Sequence, residues 1–155
     1  MILKRDFLAD WRDSVPTGKR LVVTNGCFDV IHAGHVDYLS KAKALGDFLL
    51  VGLNGDKSVA ELKGESRPIN GEEARAVILD SFRFVDAVCI FEGKRATDFL
   101  YLARPNIYVK GGDYTMESLD KEEVKAALSD GGVIKIIPFL SGFSSSLILD
   151  KISKL

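Results

Sequence analysis

The sequence has little of what marks several large protein classes. Its two cysteines, Cys27 and Cys89, lie far apart and form no Cys-x-x-Cys pair. It therefore carries neither a disulfide framework nor a thiolate zinc motif. That usage suits a reducing compartment, and the expected location is the cytoplasm. No apolar run approaches the ~20 residues that span a bilayer. The start, Met1-Ile2-Leu3-Lys4-Arg5-Asp6, lacks the apolar core of a signal peptide, so no membrane partner is expected. Charge of one sign is also missing. With 21 Lys and Arg against 22 Asp and Glu, the net charge is −1, without the electrostatic footprint of a nucleic-acid binder. No Gly-x-Gly-x-x-Gly follows the first apolar run, and there is no Walker A motif, so the usual dinucleotide and P-loop readings have no support. Internal repeats and low-complexity tracts are absent as well.

What remains is a chain of 155 residues, 46% of them hydrophobic, enough for one domain with a real core. A single domain over 1–155 is expected, with 1–18 as a leading helix and linker. Phe7, Leu8 and Trp11 share a face of a helix over 5–13, and Pro16-Thr17-Gly18 ends it. Apolar runs then predict strands near 19–24, 48–53, 87–91, 106–109 and 133–137. Helical spacing predicts helices over 34–45, from 71 onward, 95–103, 120–130 and 144–153. Gly46 is the expected C-cap of the first of these, and Asn70 with Glu73 reads as a capping box for the next. Strands alternating with helices predict an α/β fold: a Rossmann-like, doubly wound domain on a five-stranded parallel sheet.

The most informative stretch is Thr24-Asn25-Gly26-Cys27-Phe28-Asp29-Val30-Ile31-His32-Ala33-Gly34-His35. It joins the first strand to a helix marked by Val36, Leu39, Ala42 and Leu45. In α/β proteins that turn is where free backbone N–H groups and the helix dipole meet phosphate. His32 and His35, the only histidines, are three apart, so both rings can leave the first turn on one side. Gly34 between them leaves room for an anion to approach the backbone. No further ligand set accompanies them, so no metal site is assigned.

Asn25-Gly26-x-Phe28-Asp29 followed by His32-x-Gly34-His35 resembles the signature of the cytidylyltransferase-like nucleotidyltransferases. These join a nucleoside triphosphate to a small phosphorylated substrate and release pyrophosphate. Nearly the whole chain resembles the D-glycero-β-D-manno-heptose 1-phosphate adenylyltransferase part of ADP-heptose synthases. The resemblance implies that His32 and His35 contact the triphosphate and stabilise charge during transfer. Lys43 joins them as a third catalytic residue, two turns along the helix on the same face; a solvated lysine is the alternative. Asn25, Gly26, Cys27, Phe28 and Gly34 would line the nucleotide, and Asp29 the substrate.

Three further blocks carry the resemblance. Leu53-Asn54-Gly55-Asp56, then Lys63-Gly64-Glu65-Ser66-Arg67-Pro68-Ile69-Asn70, forms a long connection of the kind that often acts as a lid. Lys63 and Arg67 would close over the triphosphate unless they are merely loop cations; Asn54 and Asp56 would meet the substrate. Arg75, in the first turn of the next helix, is disfavoured there by the dipole. An anionic nucleotide would explain it, and a salt bridge to Glu72 is the alternative. Val109-Lys110-Gly111-Gly112-Asp113-Tyr114 places Gly111 beside the nucleotide and Asp113 near the substrate, unless it is a plain turn. Gly142-Phe143-Ser144-Ser145-Ser146 resembles the family's Ser/Thr block, and Ser144, Ser145 and Ser146 would hold the β- and γ-phosphates at a helix start. Ser stands here for the usual Thr, and Asp150 where relatives often carry Lys. Phe139-Leu140 stands where glycerol-phosphate cytidylyltransferases carry Arg-Thr, which favours the heptose reading.

The resemblance implies ATP as co-substrate with Mg²⁺, a sugar phosphate as partner and a separate heptose kinase upstream; a homodimer is expected only because dimers are common. The alternatives are a cytidylyl- or adenylyltransferase for glycerol 3-phosphate or FMN, and a non-catalytic nucleotide-sensing module.

Overall fold

Leu21-Val22-Val23 is the centre of the molecule. In the computed structural model, which describes residues 1–112 and 114–155, it begins β2 (Leu21–Gly26). Asp113 lies outside the described residues. β3 (Phe48–Asn54) pairs in parallel along one side of β2, from Leu21 opposite Phe48 to Gly26 opposite Leu53. β5 (Ile107–Gly111) pairs along the other side. With β1 (Ile2–Leu3), β4 (Ala87–Phe91) and β6 (Val133–Ile137), the order is β1-β4-β3-β2-β5-β6. Every pairing is parallel.

Successive strand residues point to opposite faces, and two cores follow. Val22, Leu49, Val51, Leu53, Val88 and Val109 face one layer, covered by α2 (Ala33–Lys43) and α4 (Glu72–Asp80). Leu21, Val23, Leu50, Ala87, Cys89 and Tyr108 face the other. That layer is covered by α1 (Leu8–Asp13), α5 (Thr97–Ala103) and α6 (Lys121–Leu128). The four inner strands are buried on both faces, as apolar runs without alternation require, while the edge strands β1 and β6 are partly exposed. α3 (Asp56–Lys63) and α7 (Ser145–Ile152) flank the carboxyl ends of the strands. Among the described residues no helix is long and apolar enough to cross a membrane.

The sheet has six strands rather than five. Ile2 and Leu3 add an edge by pairing with Val88 and Cys89; two residues carry no period that would mark them as a strand. The leading helix begins as a 3₁₀ turn, Arg5–Phe7, before α1. The segment read as one long connection contains α3, ended by Gly64 in the left-handed region (φ +102°). Gly46 does not cap α2, whose C-cap is Ala44. A Cβ at Gly46 would stand 2.7 Å from Val22 Cγ2, so glycine lets that turn close against the strand. The capping box is not formed either. Gly71 is the N-cap of α4 with no side-chain cap, and Asn70 bonds elsewhere.

From β2 the chain steps outward to β3 and β4, then crosses back to place β5 on the other side of β2. Connections leave the ends of β2 and β5 in opposite directions, which opens a crevice at their carboxyl ends. Tyr38 ties its walls together. Its hydroxyl lies 2.6 Å from Thr24 Oγ1 on β2 and donates to Val109 O on β5 at 3.1 Å.

Candidate active site

The crevice holds a cleft of about 430 Å³. Its floor is the end of β2 and the turn after it, from Asn25 to Asp29, and His35, Asn54, Lys63, Gly111 and Ser145 also line it. Phe28 shapes the turn. It takes φ +45°, a strained region for a bulky residue, while its ring is buried between Gly26 and His35. A Cβ on Gly26 would meet that ring at 3.0 Å.

His32 and His35 leave the start of α2 together, their rings stacked with centroids 3.9 Å apart. His32 is the N-cap, and its Nδ1 accepts from Gly34 N at 3.1 Å. A neutral ring accepting through Nδ1 carries its proton on Nε2. Gly34 serves this arrangement rather than open anion access. A Cβ there would lie 2.9 Å from His32 Cε1 and 3.1 Å from Phe143 Cβ, and its N–H is already donated. His35 Nδ1 is buried with no partner among the described residues. Such a group costs about 1–3 kcal/mol to leave unmade, and a ligand would supply what the protein does not.

Burial lowers the His35 pKa from 6.5 to about 4, with the charges of His32 and Lys63 adding to the effect. Burial also lowers His32. Both rings are thus neutral at pH 7. In the unfolded chain His35 titrates near 6.5, so between about 6.5 and 4 the unfolded chain binds the extra proton. The stability tied to neutral His35 is complete above that window and is lost as pH falls through it. The urea midpoint should therefore drop more between pH 7 and 5 in the native chain than in His35→Asn. Equal drops would rule out His35 as the source.

Several expected ligand contacts are engaged by the protein itself. Asp29, 2% exposed, accepts from Ile69 N (2.7 Å), Asn70 N (3.0 Å) and Arg67 Nε (2.5 Å). Burial alone would raise its pKa, but these bonds outweigh it and hold Asp29 below the usual carboxylate range. Asp29 thus pins the Arg67–Asn70 loop to the turn. Arg67 retains a buried Nη2 without a partner among the described residues. Arg75 is fully buried and donates to Asn70 O, Cys27 O, Asn54 O and Asp56 Oδ1 at 2.6–2.8 Å. It clamps the ends of β2 and β3 and, though expected at the nucleotide, is not among the residues that line the cleft. The alternative, a bridge to Glu72, is not formed: Arg75 pairs with Asp56, while Glu72 accepts from Asp56 N. Asn54 donates from Nδ2 to Ser58 Oγ at 2.8 Å.

Lys43 stands apart. At the far end of α2 it donates to Asp86 Oδ2 and Asp47 O, both at 2.5 Å. Eight residues of helix carry it about 12 Å from His35, toward the amino ends of the strands. Of the serines, Ser145 lines the cleft and donates to Val30 O. Ser144 caps Leu147 N, and Ser146 is exposed. Cys27 lines the cleft with its thiol pKa raised by burial.

The other wall adds Lys94 and Glu123, which were not anticipated, to the Lys110–Tyr114 block. Lys94, Lys110, Tyr114 and Glu123 line it. Lys110 Nζ lies 3.4 Å from Glu123 Oε2 and from Asn25 Oδ1, and Tyr108 Oη donates to Asn25 Oδ1 at 2.6 Å. Glu123 could have been suspected: it shares a buried face with Ala126 and Ala127 at helical spacing, an unusual place for a carboxylate. Phe139 closes the cleft over Gly111, where a Cβ would meet its ring at 2.6 Å.

Among the described residues no three His, Cys, Asp or Glu are grouped to hold a metal. Asp29 and Glu123, the carboxylates of the cleft, are already bonded. The donor set fits anions, with the neutral imidazole of His35 and lysines around an open crevice; His32 stacks on His35 and is not among the lining residues.

Comparison with known proteins agrees with this geometry. Over 147 residues the chain is 44% identical to the bifunctional protein HldE of Koribacter versatilis, covering 94% of this chain and 29% of that one. It is 46% identical over 155 residues to the bifunctional protein HldE of Wolinella succinogenes, covering 97% and 31%. The chain thus spans less than a third of the length of these curated relatives. A lipopolysaccharide core biosynthesis protein from Thermoplasma volcanium superposes with a TM-score of 0.62 at 26% identity, over 79% of this chain and 98% of that one. A pantoate-beta-alanine ligase from Francisella tularensis shares the fold, with a TM-score of 0.61 at 16% identity over 100% of this chain and 78% of that one. The family model described as cytidylyltransferase-like matches residues 23–151, from the middle of β2 to the last helix and so across the whole crevice, and the chain belongs to that family.

Proposed function

We propose that the chain is an adenylyltransferase that transfers AMP from ATP to D-glycero-β-D-manno-heptose 1-phosphate, giving ADP-heptose and pyrophosphate. The observation that carries this is the buried, unpartnered Nδ1 of neutral His35 in a cleft that it shares with Lys63. Likeness to HldE proteins and to a lipopolysaccharide core biosynthesis protein supports the sugar-phosphate acceptor.

The reaction asks for positioning and charge stabilisation rather than covalent chemistry. An oxygen of the acceptor phosphate attacks the α-phosphorus of ATP. The new O–P bond forms as the bond to the bridging oxygen of the β-phosphate breaks, and pyrophosphate leaves with its electron pair. The attacking oxygen is already anionic, so no general base is required. That suits a cleft whose carboxylates are bonded elsewhere. The neutral imidazoles of His32 and His35 serve as hydrogen-bond donors to the charge that builds on the phosphates. Lys63 supplies positive charge, and the Ser145 hydroxyl, at the start of α7, would turn from Val30 O to donate to a phosphate. Mg²⁺ would arrive on the triphosphate, bound largely through phosphate oxygens, and would screen their charge. Asp113 remains a candidate for the substrate side. A heptose kinase would supply the 1-phosphate.

Pyrophosphate release with ATP or CTP, each against heptose 1-phosphate, glycerol 3-phosphate and FMN, tests the reading. Release only with ATP and heptose 1-phosphate is expected. Turnover with another pair would replace the substrate and keep the mechanism. ATP binding without turnover of any acceptor would favour a sensing module.

A further inference from the structure

We propose that the corner of the cleft formed by Asn25, Lys110, Glu123 and Tyr114 holds the hydroxylated ring of the acceptor, while its phosphate lies toward the unpaired cations. The proposal rests on the sugar-phosphate reading above and names the residues that would recognise the sugar.

Charge balance separates the two ends of the cleft. Lys110 and Glu123 face each other at 3.4 Å, with side chains 12% and 10% exposed, and together carry no net charge. A phosphate dianion would gain little there and would meet the carboxylate. A neutral polyol, which both donates and accepts, suits a carboxylate, an ammonium and an amide held side by side. Lys63 and Lys94 line the same cleft and make no ion pair among the described residues, so they suit the phosphate.

The corner is also built before any ligand enters. Ala96 N donates to Glu123 Oε1 at 2.8 Å, and Tyr108 Oη lies 3.2 Å from Oε2. The same hydroxyl donates to Asn25 Oδ1 at 2.6 Å, which leaves the amide nitrogen as what Asn25 can offer. Burial, with the Glu123 charge, raises the Tyr108 pKa, so the phenol stays protonated. Lys110 makes only long contacts, 3.4 Å to both Glu123 and Asn25, beyond the usual 2.7–3.2 Å. Its ammonium can take a closer hydroxyl. Tyr114, 47% exposed, sets its ring 5.2 Å from Lys110 Nζ. An apolar ring face beside convergent polar groups matches a pyranose, whose C–H face stacks while its rim hydrogen-bonds.

Two variants test this in the intact chain. Lys110→Met with Glu123→Gln keeps the corner neutral, so no buried charge is orphaned, and Gln still accepts from Ala96 N. Tyr114→Ala removes an exposed ring and should fold. Calorimetry would compare the binding of heptose 1-phosphate, inorganic phosphate and ATP. The double variant should bind heptose 1-phosphate at least about 10-fold more weakly, and Tyr114→Ala several-fold more weakly, with phosphate and ATP within about 2-fold of the native chain. If the double variant fails to fold, Tyr114→Ala decides. Weakened ATP binding would mean that the corner holds the ribose. Parallel loss of inorganic phosphate would make it an anion site. Unchanged heptose 1-phosphate binding in the variants, or none in the native chain, would also overturn the proposal. Pyrophosphate release separates the two readings. Native chain that binds the sugar through this corner yet releases no pyrophosphate would refute the transfer reading and leave the corner standing.

Discussion

His35→Ala should lower kcat by about 10²–10³, the usual loss when one preorganised donor to developing charge is removed. The KM for ATP should rise far less, because His35 acts on charge that appears as pyrophosphate leaves. The ring stacks on His32 and tilts against Phe28 with centroids 5.3 Å apart, so its removal also frees the strained turn. His35→Gln, which keeps a donor, separates these effects. Partial recovery of kcat assigns the loss to the hydrogen bond; equal loss in both variants assigns it to packing. A fall of less than a few-fold in His35→Ala would remove this residue from the mechanism. Steady-state pyrophosphate release over a range of ATP concentrations reads all three outcomes.

Arg75→Met should cost about 3–5 kcal/mol of stability, chiefly from three carbonyls left without their donor at about 1–3 kcal/mol each, because Asp56, its half-exposed carboxylate partner, can rehydrate. A domain of this size has roughly 5–15 kcal/mol in total, so the variant should unfold at much lower urea. The change strands the carbonyls of Cys27, Asn54 and Asn70 and frees Asp56. Two of those carbonyls lie where β2 and β3 deliver the floor of the cleft, so surviving activity should fall with the folded fraction. A phosphate-binding arginine would behave in the opposite way, with stability nearly intact and a much higher KM for ATP. Urea unfolding beside KM at a permissive temperature tells them apart.

Arg75 and Lys43 show why part of the site escaped a linear reading. A cation in the first turn of a helix does call for a negative partner, and Arg75 has one. Nothing in the local sequence says that the partner is Asp56 with three carbonyls around it, because those groups meet only when β2, β3 and α4 pack. Lys43 shares a helix with His35, and helical spacing alone places both on one face. Which end of the sheet each residue reaches depends on the direction of α2 across the strands, and Asp86 waits at the other end. Lys110, Tyr108, Glu123 and Asn25 come from β5, α6 and β2, so the corner they make has no contiguous signature.

By itself the sequence determined the α/β class, the parallel sheet, most strands and helices to within a few residues, and the turn from Asn25 to His35. These are local matters, set by apolar periodicity and by the backbone freedom of glycine at a strand–helix junction. The tertiary structure alone decided the sixth strand, the switch of direction at β2, the commitment of Asp29 and Arg75 to holding the cleft together, and the joining of Lys94 and Glu123 to its polar wall. Each of these depends on burial and on partners distant in the chain, and such energies exist only once the layers have closed.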